Sequence, residues 1–329
     1  MVQLLGVTVS APAKIILFGE HFVVYGEPAI VLAIDKRAYA SADIRKDKRI
    51  YIDSIDLGIS GFFEGDIFYE ERGDQTARRT LEPLKIAIEG VLERSRMNVG
   101  VSVKVRSTIP VAAGLGSSAA IAAAVVTAVG RLLDLELSKE EIFRISYEAE
   151  RYVHGTPSGI DPTISTYGGV LLYRRDKGFS QIKVKGEIPL VIGDTGVKRS
   201  TGDIVARVRE ISEQYPSIIK PLLRIGGKIA LRAVEALETG DLYALGELMN
   251  VNHGLLCAVG VSDASLERLV YAAREAGALG AKLTGAGGGG CMIALAKPDK
   301  LVRVVDAIER AGGKAFGVRL ADEGVRIED

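Results

Sequence analysis

The chain has 329 residues, 47% of them apolar, and its 42 basic and 42 acidic side chains cancel. That length and apolar content suffice for two domains with a core each, and the balanced charge removes the electrostatic case for a nucleic-acid or membrane-surface partner, leaving a small polar substrate as the better fit. Cys257 and Cys291 stand far apart, without metal-like spacing or a disulfide framework, and read as buried free thiols. No basic-then-apolar leader opens the chain and no apolar run reaches membrane-spanning length, so the cytoplasm is the expected compartment.

Periodicity predicts a mixed α+β pattern rather than a regular βαβ series. Residues 7–10 and 15–18 read as strand, as does 29–42 with a polar side, which suggests antiparallel pairing. Lys14 heads the apolar run AKIILF; from there a partly buried cation addresses an anion, or reaches water as a lone lysine usually does. Gly19 and Gly26 bracket Glu20 and His21 and place them on a shaped loop or a surface turn. Residues 45–79 mix Gly, Asp, Arg and aromatic residues, as hairpins do, with an exposed turn at 70–79. Residues 84–97 read as helix, and VSVKV at 101–105 alternates as a half-buried strand.

The strand leads into PVAAGLGSSAAIAAA (110–124), a glycine-rich turn running into an alanine-rich helix. Gly114 and Gly116 let the backbone take positive φ and bring N–H groups to an anion, and Ser117 and Ser118 fall at the helix start, where the dipole favours negative charge. An ordinary capped helix after a loop would read the same, and no Gly-Lys-Ser or Gly-Lys-Thr follows to make a P-loop. Ser138 and Glu141 have capping-box spacing at the start of a helix that carries Glu150. That helix stops at Gly155, and Pro157 stiffens a turn that can bring Glu150 and Asp161 into one cleft, one to hold Mg²⁺ and the other to handle a proton. A solvated helix glutamate and a turn aspartate are the plainer alternative.

A second unit begins near residue 179: strand-like QIKVKGEIPLVIG, helices across 203–258 and 263–276, strand-like CMIALA and a last helix near 300–311. The division is placed at 1–176 and 177–329. Lys198, Arg199, Ser200 and Thr201 form a cationic and hydroxyl cluster in which Thr201 orients a phosphoryl oxygen or merely helps begin the next helix. KLTGAGGGGC (282–291) carries four successive glycines that let backbone N–H groups approach a ligand, as a loose loop also would. His154 and His253 lack a metal-like partner at helical spacing and are assigned to structure.

Together these elements resemble the GHMP kinase superfamily, in the family's order and over nearly the whole chain. PVAAGLGSSAA is similar to its phosphate-binding motif, APAKIILFGEH to its amino-terminal motif and KLTGAGGGGC to its carboxy-terminal glycine motif. Within it, GEHFVVYGEPAI, ERYVHGTPSGID and VKRST resemble the mevalonate kinase family, whereas galactokinases continue differently after Gly-Glu-His and homoserine kinases generally lack the Glu-His pair. The resemblance implies a two-domain fold: an N-terminal ribosomal-protein-S5-like α/β domain that binds ATP, a C-terminal ferredoxin-like α+β domain, and the active site in the cleft between them. It implies transfer of the ATP γ-phosphate to the C5 hydroxyl of mevalonate, with mevalonate and ATP as partners and a homodimer allowed.

By the same resemblance Asp161 and Lys14 are catalytic; Glu150 and Ser118 hold Mg²⁺; Pro110, Val111, Ala112, Ala113, Gly114, Leu115, Gly116, Ser117, Ser118, Ala119 and Ala120 bind the nucleotide; and Glu20, His21 and Thr201 line the substrate pocket. The alternatives are a sibling kinase acting on phosphomevalonate or a sugar, with the same ATP elements, and a non-catalytic kinase-like sensor, which would not need Lys14, Glu150 and Asp161 together. A doubly wound dinucleotide fold lacks its GxGxxG after an early strand.

Overall fold

The structure, a computed structural model, describes residues 7–110, 114–155, 158–198 and 200–328; Val111, Ala112 and Ala113 of the glycine turn, and Arg199, lie outside the described residues. Two sheets organise the chain. The first contains β1 (Val7–Phe18), β2 (Ala29–Arg45), β3 (Ile50–Ser54), β4 (Ile59–Glu64), β5 (Ile67–Arg72), β6 (Gly100–Ser107), β7 (Val170–Arg174) and β8 (Gly178–Gln181). Its helices are α1 (Ala77–Ser95), α2 (Ser117–Leu132), α3 (Lys139–His154) and α4 (Ile160–Tyr167). β2 is the spine, pairing antiparallel with β1, with β7 through its first residues and with β6 through its last. The β1–β2 register shifts at Pro12/Ala13 and at Ile16/Phe18. These irregularities, one beside a proline that cannot donate, make a single long strand read in sequence as two.

β1 is buried along most of its length, with α2 lying across β1 and β2 and α4 also packed on β1. The run of alanines makes that possible: Ala119, Ala120, Ala123 and Ala124 are all buried, and small side chains let helix and sheet approach closely. The capping box predicted at Ser138 and Glu141 is formed at the start of α3. α1 starts at Ala77, before the expected residue 84, because its buried face of Ala77, Leu81, Leu84, Ile88 and Val91 continues through Pro83.

The second sheet is antiparallel, in the order β10 (Gly280–Leu283), β11 (Cys291–Leu295), β9 (Leu190–Asp194), β12 (Lys314–Val318). Around it lie α5 (Thr201–Gln214), α6 (Pro216–Thr239), α7 (Leu242–Ala258), α8 (Ala264–Glu275) and α9 (Leu301–Arg310). The strand-like stretch 181–193 divides: Gln181 ends β8, which pairs with β7 in the first sheet, residues 182–189 are in no strand, and β9 enters the second sheet. A boundary at 176/177 therefore cuts the β7–β8 hairpin. The last strand, β13 (Arg326–Glu328), also returns to the first sheet beside β1. Buried Arg37 holds it there by donating to Ser10 Oγ (2.6 Å) and Gly324 O (2.6 Å). One apolar cluster runs from Val9 in β1 to Ile293 in β11, so the two sheets share a core. Among the described residues no helix is long and apolar enough to cross a membrane.

Candidate active site

Lys14 lies within β1 and is 6% exposed. Its backbone N–H donates to Leu115 O (2.9 Å), joining the strand to the glycine turn. Its Nζ lies 3.2 Å from Oδ1 of Asp161, in the first turn of α4. The pair is unevenly covered, with the lysine side chain 8% exposed and the aspartate 27%, so the cation is enclosed while the carboxylate keeps a face to solvent. Ser165 Oγ donates to Pro12 O (3.1 Å) and holds α4 on β1.

Gly116 is what allows this assembly. It precedes α2 at φ 74°, and a Cβ there would sit 2.9 Å from Lys14 Cγ and 3.4 Å from Asp161 Oδ2. Gly159 precedes α4 in the same left-handed conformation, at φ 76°. Gly116 has no side chain to cap α2, so first-turn N–H groups there stay available to an anion beside Lys14, whereas at α4 Ser158 Oγ accepts from Ile160 N–H (3.3 Å) and Pro162 has no N–H to offer. Ser117 is half-buried and Ser118 exposed at the head of α2.

A cavity of about 410 Å³ opens from this point. Ser117, Ser118 and Glu150 form a polar end, and Leu84, Val105 and Ile109 are among the apolar walls. Glu150 Oε2 is buried without a hydrogen-bond partner. Burial, then the nearby Asp161, push its carboxyl up to about 8, with Lys14 opposing. A buried carboxyl with an oxygen that no donor serves, near a second carboxylate and a serine hydroxyl, is a hard-oxygen donor set, and these residues fit Mg²⁺.

Glu20 is placed differently from the expected pocket lining. Its side chain is fully buried against Lys282, itself fully buried, and Lys282 Nζ donates both to Glu20 Oε1 and to Leu283 O (2.7 Å). Asn252 Nδ2 donates to the other oxygen, Oε2, at 3.4 Å. Burial raises the Glu20 carboxyl and lowers the Lys282 ammonium, and each offsets the other through their attraction. The next residue, His21, is 3% exposed and donates from Nε2 to Ala286 O (2.7 Å). Lys282 is the site-region residue that sequence reasoning passed over, although it stands first in the quoted KLTGAGGGGC; a lone lysine near the end of a short strand gives no sign of its counter-ion.

The glycine segment 284–290 forms the tight connection between β10 and β11. Thr284 Oγ1 donates to Ile16 O (2.8 Å) and accepts from Ile16 N–H (3.2 Å), joining the two sheets directly. At Gly287, φ 80°, a Cβ would lie 2.0 Å from Val261 O. Thr201 is exposed in the first turn of α5, behind the Ser200 cap. No contact joins it to Lys14 or Asp161 among the described residues, but Thr195, in the loop that leads to α5, hydrogen-bonds Gly290 O from both N–H and Oγ1 (2.9 Å each).

His253 does have a partner at helical spacing, which corrects the sequence reading. Cys257, four residues on and exposed rather than buried, shares Glu267 Oε1 with it: Nε2 lies 3.0 Å and Sγ 3.2 Å from that oxygen. The three ligand-type atoms fall within 4.8 Å of one another. His253 Nδ1 accepts from Leu283 N–H (3.3 Å), which leaves the ring proton on Nε2. Burial lowers the imidazole to about 4, and burial with Glu267 raises the thiol to about 11. A protonated Nε2 and a protonated thiol oppose metal ligation, and the group joins α7 to α8 as a hydrogen-bonded contact.

The cluster of Lys14, Asp161 and Glu150 therefore offers an enclosed cation, a carboxylate open to a ligand, a second buried carboxyl without a hydrogen bond on its Oε2, and the uncapped start of α2, the parts used to place and neutralise a transferring phosphoryl group. Residues 82–169 match the GHMP kinases N terminal domain and residues 233–315 the GHMP kinases C terminal. The mevalonate kinase of Pyrococcus abyssi is 50% identical over 98% of this chain and 98% of its own. Among solved structures, L. major mevalonate kinase in complex with R-mevalonate superposes with TM-score 0.81 at 32% identity, covering 94% of each chain. That of Methanococcus jannaschii superposes with TM-score 0.82 at 27% identity, covering 97% of this chain and 100% of that one. With both GHMP domains matched and half its residues shared with a relative over almost its full length, the chain belongs to the mevalonate kinase family of the GHMP kinases.

Proposed function

We propose that the chain transfers the γ-phosphoryl group of ATP to the C5 hydroxyl of mevalonate, giving 5-phosphomevalonate and ADP. The observation that carries this reading is the Lys14–Asp161 pair, 3.2 Å apart, set against Gly116 at the head of α2 in a chain of this family.

In the proposed mechanism the C5 oxygen attacks phosphorus in line while the bond to the β-phosphate oxygen breaks. Asp161 Oδ2, the oxygen not facing Lys14, orients the hydroxyl and takes its proton. Lys14, already enclosed, steadies the attacking oxygen and the charge that builds on the equatorial oxygens without having to shed a hydration shell during the reaction. The N–H groups and hydroxyls from Gly114 to Ser118, with flanking Pro110, Ala119 and Ala120, hold the triphosphate, and the apolar part of the cavity takes the base. Glu150 and Ser118 would hold Mg²⁺, which would supply charge neutralisation to the triphosphate. His21 and Thr201 belong to the substrate side; Glu20, with both oxygens engaged, supports that side from behind. All of these groups come from one chain, so the reading needs no homodimer.

The test is ADP release from Mg-ATP with mevalonate, phosphomevalonate, galactose and homoserine offered separately. Turnover dependent on mevalonate is expected; turnover with another alcohol and none with mevalonate would refute the substrate.

A further inference from the structure

We propose that Lys282 is a positioning residue for the transfer reaction, acting as the buried counter-ion that locks the Glu20–His21 turn of the first sheet onto the glycine segment of the second. The inference deepens the functional reading above and rests on it for its substrate. Residues 20 and 282 are 262 positions apart, one in the turn after β1 and the other in β10, yet both side chains are fully buried and bonded to each other. Both carboxylate oxygens are engaged: Lys282 Nζ serves Glu20 Oε1 and also Leu283 O, and Asn252 serves Glu20 Oε2. Two more links flank it, Thr284 with the backbone of Ile16, two residues beyond Lys14, and His21 Nε2 with Ala286 O. The pair is the charged centre of a seam joining the strand that carries Lys14 to the loop that carries Ala286.

A buried ion pair is a poor choice for stability alone, because taking both charges out of water costs about as much as their attraction returns, and apolar residues of the same volume often do as well. What the pair supplies is direction. A carboxylate held by an ammonium and an amide has one orientation, and the residue after it, His21, inherits that orientation.

The experiment compares wild type with Lys282→Met and with the neutral double variant Glu20→Gln, Lys282→Met, in which the amide oxygen at position 20 still accepts from Asn252. The single variant strands a buried carboxylate and is expected to lose stability. The double variant is expected to unfold at the wild-type temperature and to keep its KM for ATP, while kcat/KM for mevalonate falls about 10- to 100-fold, the scale of a misplacement of under an ångström or so. A double variant equal to wild type in both stability and kcat/KM would overturn the proposal, as would one in which stability and both KM values fail together, since the pair would then only hold the fold. If the wild-type chain does not turn over mevalonate, the functional reading fails, and the pair is read from the His21 imidazole by ¹⁵N NMR, with the three histidines assigned by substitution. A change in the His21 tautomer signal in the double variant supports the positioning role, and an unchanged signal overturns it.

Discussion

Replacing Gly116 by alanine tests whether the missing Cβ is what lets Lys14 and Asp161 meet at the head of α2. Two costs separate on the structure. An alanine at φ 74° bears left-handed strain of about 1–2 kcal/mol. Its Cβ would also lie 2.9 Å from Lys14 Cγ and 3.3 Å from Cε. Carbon atoms prefer at least about 3.5 Å, so the lysine or the turn must shift by roughly 0.6 Å, an overpacking cost of about 1–3 kcal/mol. Gly178 is the control: its φ is 73° and a Cβ there meets nothing within 4 Å. In urea denaturation Gly178→Ala is expected to lose only the strain, and Gly116→Ala roughly 2–5 kcal/mol. In an ADP-release assay Gly178→Ala keeps wild-type kcat, whereas Gly116→Ala loses about 10- to 100-fold because the displaced lysine no longer faces the aspartate correctly. Equal destabilisation by the two variants, with kcat unchanged in both, would show that Gly116 serves only backbone conformation.

Asp161→Asn preserves shape and removes the proton acceptor, so kcat is expected to drop about 10²- to 10⁴-fold while ATP affinity, measured by calorimetry, is retained; near-normal turnover contradicts the assignment. Glu150→Gln should weaken Mg²⁺ and nucleotide together, and a Mg²⁺ titration indistinguishable from wild type would remove Glu150 as a ligand. Cys257, although exposed, has its thiol pushed up to about 11, so only roughly one part in a thousand is thiolate near pH 8 and alkylation should be slow. Glu267→Gln should speed it, and fast labelling of the wild-type chain would be inconsistent with the Cys257–Glu267 contact. For His253 the folded value, about 4, lies below the ordinary 6.5. Its neutral form is therefore stabilising above pH 6.5, and that contribution is lost as pH falls from 6.5 toward 4 while the unfolded chain takes up the proton. His253→Asn should flatten that part of a stability-versus-pH curve; an unaltered slope would mean that the imidazole is not held neutral.

Local signals were the legible ones. Ser138 and Glu141 announce a helix start three residues apart, Gly114 and Gly116 announce a turn, and the alternation of 101–105 announces a strand, because each depends only on neighbours in sequence. The resemblance located Lys14, Ser118, Glu150 and Asp161, and the fold brings Lys14, Asp161 and Glu150 into one electrostatic cluster, with Ser118 on the wall of the cavity that Glu150 lines. Spacing alone could not have done so, since Lys14 and Asp161 meet only after β1 has passed beneath α2 and α4. Long-range pairing hid the rest. Lys282 looks like an isolated charge until β10 is placed beside the Glu20 turn, and β13 is three residues long and exists only because Arg37 and β1 receive it. The spacing of His253 and Cys257 was visible in the sequence, but the ring proton that opposes a metal there follows from the Leu283 N–H.

The most direct measurement is ³¹P NMR of the chain with Mg-ATP and mevalonate, beside the Asp161→Asn variant. A phosphomonoester resonance coupled to the C5 methylene protons should grow with ADP for the wild-type chain and be almost absent for the variant. No such resonance from the wild-type chain, or one that grows equally fast from Asp161→Asn, would contradict transfer to the C5 hydroxyl at the Lys14–Asp161 pair.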